Sequence, residues 1–126
     1  MTKQIHMKSY TSIAIIILLL AGTLSVEANM QILPTGMRIT VISRLGNAVE
    51  NAKVTVYANQ KDYENEENPV AGPAFTDSKG RVTFKTLEEK QYYVQVIKGD
   101  DSNYGDAEQT GKLKKGKINK FNIVIQ

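Results

Sequence analysis

The sequence contains no cysteine and no tryptophan, and its one histidine is His6. Each absence removes a class of chemistry. Without thiols there is no disulfide framework, no thiol nucleophile and no lipidated N-terminal cysteine. Without histidine beyond residue 6, serine and cysteine nucleophiles lack their usual base. Zinc and most transition-metal sites lack their usual ligands for the same reason. No cofactor is implied. Charge of one sign is also scarce: the formal net charge is +3 over 126 residues. A general attraction to nucleic acid therefore has no support.

One long apolar run is present, Ile13–Leu20, preceded by Lys3 and Lys8 and followed by Val26-Glu27-Ala28. A positive start, an apolar centre and a small-x-small end make residues 1–28 a secretory signal peptide, cut after Ala28. Its uncharged stretch, Ser9–Val26, is close to the minimum for a membrane span. The polar flanks and cleavage pattern favour removal over a retained anchor. Cleavage would leave a soluble periplasmic or secreted protein that is not a lipoprotein. Asn29–Gln126 then suffices for one compact domain and is too short for two.

Along that domain, Asn29–Gly36 is expected to be a flexible lead-in, with Pro34 and Gly36 against regular structure. Period-two alternation predicts strands at Met37–Ile42, Lys53–Ala58, Ala74–Thr76, Arg81–Lys85, Tyr92–Lys98, Ala107–Leu113 and Ile118–Ile125. Gln60–Pro73 breaks the rhythm with Asp62, Glu64, Glu66, Glu67, Pro69 and Pro73, and is expected to be the longest loop. Between the third and fourth strands lies Asp77-Ser78-Lys79-Gly80. Asp77 suits a turn by accepting backbone N–H groups, and Gly80 by taking a positive φ. Seven short strands without helical periodicity predict an all-β sandwich, with a small closed barrel as the alternative.

Gly46, Val49, Ala52, Val54 and Val56, then Thr76-Asp77-x-x-Gly80-x-Val82-x-Phe84, Leu87 and Tyr92-x-Val94-x-Val96 carry a family resemblance. They look like the carboxypeptidase regulatory-like domain, within the transthyretin-like (prealbumin-like) and Cna-B-like group of immunoglobulin-like sandwiches. The ending, Gly116 with Ile118, Phe121, Ile123 and Ile125, is similar to that family's closing strand. The resemblance runs from Met37 to Gln126. It implies a seven-stranded immunoglobulin-like β-sandwich and an accessory or interaction role in the bacterial cell envelope. Lys90 stands where the family usually has glycine, so the Thr86–Gln91 turn is expected to differ. The related hydroxyisourate hydrolases use catalytic histidine, so their activity does not carry over. Some Cna-B-like domains carry a Lys–Asn isopeptide bond. Lys53 and Asn122 are nearest in position, yet no inward acid accompanies them and Lys53 should point outward.

The remaining constellations are polar. Paired carboxylates for glycoside hydrolysis, or a calcium site, would have to come from the acidic loop, Glu88 and Glu89, or Asp100 and Asp101. These lie in solvated segments without calcium-loop spacing, so solvated charge is the preferred reading. Lys112, Lys114, Lys115, Lys117 and Lys120 could meet anionic glycan or lipid, but edge protection is preferred. Tyr63 and Tyr104, in loops, are the candidate contact residues, and Tyr92 fits the core. If successive strands reverse, Gln60–Pro73, Thr86–Gln91 and Lys114–Lys117 share one end. Asp62, Tyr63, Glu64, Glu66, Glu67, Lys114, Lys115 and Lys117 then form the candidate partner surface, with opposite charges holding the loop. The expected function is non-catalytic docking to an envelope protein or carbohydrate. Self-assembly through exposed strands is the alternative, and a hydrolase the more remote one.

Overall fold

Met37, Ile39 and Val41 place an apolar side chain inward at every second residue, and all three are fully buried in strand β1, Gly36–Ser43. The structure, a computed structural model, describes Leu33–Gln126. The expected leader, 1–28, lies outside the described residues. After β1 come β2 (Lys53–Tyr57), helix α1 (Gln60–Asn65), β3 (Ala71–Phe75), β4 (Arg81–Phe84) and β5 (Tyr93–Lys98). The two-residue β6 (Asp101–Ser102) and the closing β7 (Ile118–Ile125) complete the order.

The strands form a three-stranded sheet, β4-β1-β7, and a four-stranded sheet, β3-β2-β5-β6. Neighbours are antiparallel except β1 and β7, which run parallel from Gly36↔Ile118 to Ser43↔Ile125. No ladder joins the two sheets, so the molecule is a sandwich rather than a closed barrel. The core lies between them: Met37, Ile39, Val41, Phe84, Ile123 and Ile125 meet Val54, Val56, Val94 and Val96. Each such side chain, fully buried, contributes about 1.5–3 kcal/mol. Among the described residues no helix is long and apolar enough to cross a membrane.

The Asp77–Gly80 turn forms as its residues require. The Asp77 carboxylate accepts from the backbone N–H groups of Lys79 at 2.9 Å and Arg81 at 3.0 Å. Gly80 has φ +74°, and its carbonyl accepts from Val41 N–H at 2.7 Å. A Cβ there would sit 2.6 Å from the Val41 carbonyl oxygen. The turn therefore locks onto β1, and glycine is required twice over.

Several expectations need correction. The segment Gln60–Pro73 is not a bare loop: it opens with α1, and β3 begins at Ala71. The residues Ala107–Leu113 do not form a strand. They lie beside β5, bonded only at intervals (Val94 N–H to Glu108 O, Thr110 N–H to Tyr92 O, Leu113 N–H to Lys90 O). Positive φ values at Gly105 and Ala107 put this stretch out of strand register. The end of the lead-in is tied down. The Thr35 carbonyl accepts from Leu87 N–H, and its hydroxyl from Gly116 N–H at 2.9 Å. The Thr86–Gln91 turn has Thr86 at φ +62°, with the Lys90 ammonium 5.5 Å from the Tyr92 ring centre.

Candidate interaction surface

Helix α1 is short, and its ends explain why it forms. Asn59 is the N-cap, its side-chain oxygen accepting from Asp62 N–H at 2.9 Å. Gln60 donates to Glu64 one turn on, at 2.9 Å. Glu66 closes the helix in a left-handed conformation, φ +51°. What keeps so short a helix in place is Tyr63. It is 6% exposed and packs on the outer face of the four-stranded sheet, between Tyr57 (ring centres 5.9 Å, edge-on) and Tyr93 (5.7 Å). Gln95 of β5 adds a hydrogen bond to Glu66 at 2.8 Å. Burial, with the Glu108 carboxylate beside it, pushes the Tyr63 phenol far above its usual range. Burial followed by Glu66 raises Tyr57. These phenols remain protonated hydrogen donors.

Tyr63 is thus an anchor, and its candidate role as a contact residue is corrected. The same side chains redirect the acidic residues. Asp62, Glu64, Glu66 and Glu67 ride on α1 and its cap, over the flank of the four-stranded sheet. Lys114, Lys115 and Lys117 stand on the turn that precedes β7, in the other sheet. The Val70 end of the α1 connection does share an end with Thr86–Lys90, where both line one shallow depression with Tyr92. The expected opposite-charge clasp does not form. Among the described residues the sole ion pair is Lys112–Glu89, at 3.9 Å and largely exposed. Such a pair contributes about 0–1 kcal/mol. Lys53 and Asn122 are exposed on different sheets, which separates the residues an isopeptide bond would join.

Facing α1 across β5 is a second segment, Asn103–Gln109, which carries Tyr104. Asn103 is 1% exposed and replaces a missing rung of ladder. Its side chain accepts from Val96 N–H at 2.9 Å and donates to the Val94 carbonyl at 2.8 Å. Glu108 accepts from Gly105 N–H at 2.8 Å, and Gln109 donates to the Tyr93 hydroxyl. Asn103 and Gln109 thus tie both ends of the loop to β5, and Glu108 closes it on itself.

Between α1 and this loop lies a shallow depression of about 380 Å³, lined chiefly by Gln60, Tyr93, Asp106, Glu108 and Gln109. A second, of about 220 Å³, lies on the other side of Tyr63, against Gln95, Ser102 and Tyr104. Tyr104 is 84% exposed at the loop tip. The surface thus presents planar amides and carboxylates around an uncovered aromatic ring. Amide and carboxylate groups pair with neighbouring hydroxyls, and an exposed ring offers a flat apolar contact. The one sequence signal was Tyr104, an aromatic in a polar loop.

No protein-family profile and no curated protein matches the sequence. Solved structures do resemble it. A single-substitution variant of BcpA, the major pilin subunit of Bacillus cereus, aligns over 72% of this chain with 15% identity and a TM-score of 0.50. The unsubstituted pilin subunit aligns over the same share at 14% identity, TM-score 0.46. A candidate carbohydrate-binding protein of Pseudomonas aeruginosa, PA1324, aligns over 78% of this chain and 93% of its own, at 14% identity and a TM-score of 0.42. This chain spans 28% of the pilin subunit's length. At these identities the likeness is one of fold.

Proposed function

We propose that this chain is a non-catalytic interaction module of a bacterial cell envelope, of the carboxypeptidase regulatory-like type. Residues 1–28 export it to the periplasm or beyond, and it docks a carbohydrate on the surface between α1 and Asn103–Gln109. The carrying observation is Tyr104, an exposed ring at the rim of the smaller depression with Glu66 and Gln95, on a loop that Asn103 ties to β5. Binding sites concentrate on loops carried by a rigid scaffold. The absence of histidine and cysteine from Asn29–Gln126 supports a binding rather than a catalytic role.

A glycan array probed with wild type and Tyr104→Ala tests the reading. Wild type retains a defined set of glycans, and the variant loses them at an unchanged melting temperature. A wild type that retains nothing, or glycans held equally by the variant, would defeat it. Retention of an envelope protein through the same residue would redirect the reading to protein docking.

A second reading, self-assembly, is favoured by one observation. Gly36 N–H donates to the Lys117 carbonyl, which sets the phase of the parallel ladder. Odd-numbered residues of β7 turn their backbone groups to β1, and Ile118, Lys120, Asn122 and Val124 turn theirs to the open edge. Gln126, next in that series, does find a partner there, exchanging two hydrogen bonds with Ser102 at 3.1 Å each. The open edge is a template for strand pairing. Sedimentation velocity that shows mass rising with concentration, and Asn122→Pro suppressing the rise, supports it. A monomer at all concentrations rejects it.

A further inference from the structure

Of the clustered lysines only Lys120 lies on β7; Lys112, Lys114, Lys115 and Lys117 stand on the connection below it. Several contacts draw further groups to the same end of the sandwich. Gly36 bonds to Lys117, a Cβ on Gly36 would lie 3.5 Å from the Lys85 Cα, and Leu113 bonds to Lys90. Asn119 fixes the turn itself, accepting from Lys114 N–H at 2.9 Å. Lys85, Lys114, Lys115, Lys117 and Lys120 are all exposed, and none of them is in an ion pair among the described residues. The acids nearby are Glu88 and Glu89, and Glu89 already faces Lys112.

Beside these lysines stands an exposed apolar residue. The domain's first described residue, Leu33, is at this end, its carbonyl oxygen 3.8 Å from where a Gly116 Cβ would stand, and it is 67% exposed. We propose that this end is a peripheral docking face for an anionic membrane surface, with the lysines meeting lipid phosphates and Leu33 meeting the interface. The acidic residues of α1 are carried on the flank of the other sheet, which leaves the glycan surface free while this end is seated. Lysines close to an anionic membrane surface contribute about 1 kcal/mol each, and burial of an apolar side chain in the interface adds to that.

The test is co-sedimentation of the exported chain with vesicles of mixed phosphatidylglycerol and phosphatidylcholine, against phosphatidylcholine alone. Wild type binds the mixed vesicles and releases from them as salt rises, because the charges are exposed. The triple variant Lys114→Glu, Lys115→Glu, Lys117→Glu binds at least about a hundredfold more weakly, taking each lysine near the surface at roughly fivefold. A charge-matched control, Lys53→Glu, Lys79→Glu, Lys98→Glu, alters exposed lysines elsewhere and retains binding. Equal loss in both variants would mean net charge alone acts, and overturns the proposal. So would equal binding to phosphatidylcholine alone. Binding of a soluble polyanion such as heparin without any binding of mixed vesicles would overturn it as well, assigning the end to polysaccharide. None of these outcomes bears on Tyr104, so the glycan reading stands or falls separately.

Discussion

The side-chain amide of Asn119 donates to the Gly36 carbonyl at 3.0 Å, joining the first residue of β1 to the second residue of β7. The same side chain accepts from Lys114 N–H and donates to the Lys114 carbonyl at 3.1 Å. One buried amide thus closes the sheet and shapes the lysine turn together. Its loss removes one buried bond and two part-buried ones, at about 0.5–1.5 kcal/mol each. Asn119→Ala should therefore unfold in urea at a clearly lower midpoint than wild type. An unchanged midpoint would mean water satisfies the site.

Gly80→Val should be far more destabilising than Lys79→Ala. A side chain at φ +74° costs about 1–2 kcal/mol, and here the Cβ also meets the Val41 carbonyl. Lys79 is exposed and its side chain contributes little. Thermal melts of the two variants decide the matter, and equal melting temperatures would count against the turn.

Asp77 gives the fold an acid-sensitive component. The backbone hydrogen bond from Arg81 chiefly, then that from Lys79, holds its carboxyl below the usual carboxylate value. A carboxyl lowered on folding stabilises above its unfolded pKa of about 3.9, and that contribution disappears as pH falls through the folded value. Wild type should melt above Asp77→Asn at neutral pH, with the gap closing at strongly acidic pH. A gap that stays constant into acid would remove the carboxylate from the account.

Tyr63→Ala should loosen α1 without dissolving the core. The helix is too short to persist alone, and its hold on the sheet is this ring plus the Gln95–Glu66 bond. Amide exchange over Gln60–Glu67 should accelerate markedly while Ile39, Val54 and Val94 stay protected. Uniform acceleration would show that Tyr63 belongs to the global core.

Deleting Phe121–Gln126 should abolish the cooperative melt. It removes the buried Ile123 and Ile125 and most of the ladder to β1. The loss of several kcal/mol is comparable with the ~5–15 kcal/mol stability of a small domain. Circular dichroism through a thermal scan reads the outcome, and a retained sharp transition would contradict it.

What the sequence disclosed and what it hid follow from one physical distinction. β7 reads directly from Phe121, Ile123 and Ile125, and the tight turn from Asp77 and Gly80, because alternation and turn chemistry are local. Helix α1 falls below the length at which a 3.6-residue period can be seen, and it exists through its cap and a tyrosine contact made across the sheet. Asn103, Asn119, Thr76 and Thr110 are buried polar residues whose places are set by unpaired backbone groups elsewhere in the chain. Thr76 shows the pattern: its hydroxyl donates to the Val49 carbonyl and accepts from Ala52 N–H. Nothing in a polar residue's neighbours in sequence marks it as such a plug. The interaction surface was half visible for this reason, with Tyr104 legible and the loop that aims it not.

The parallel pairing of β1 with β7 also fixes how the domain would carry a load. The chain enters β1 at Gly36 and leaves β7 at Ile125, so it enters and leaves this ladder at opposite ends. Tension between them slides the two strands past each other along their length. The register from Gly36↔Ile118 to Ser43↔Ile125 then bears force all at once, as a lap joint does, instead of opening rung by rung like a zip.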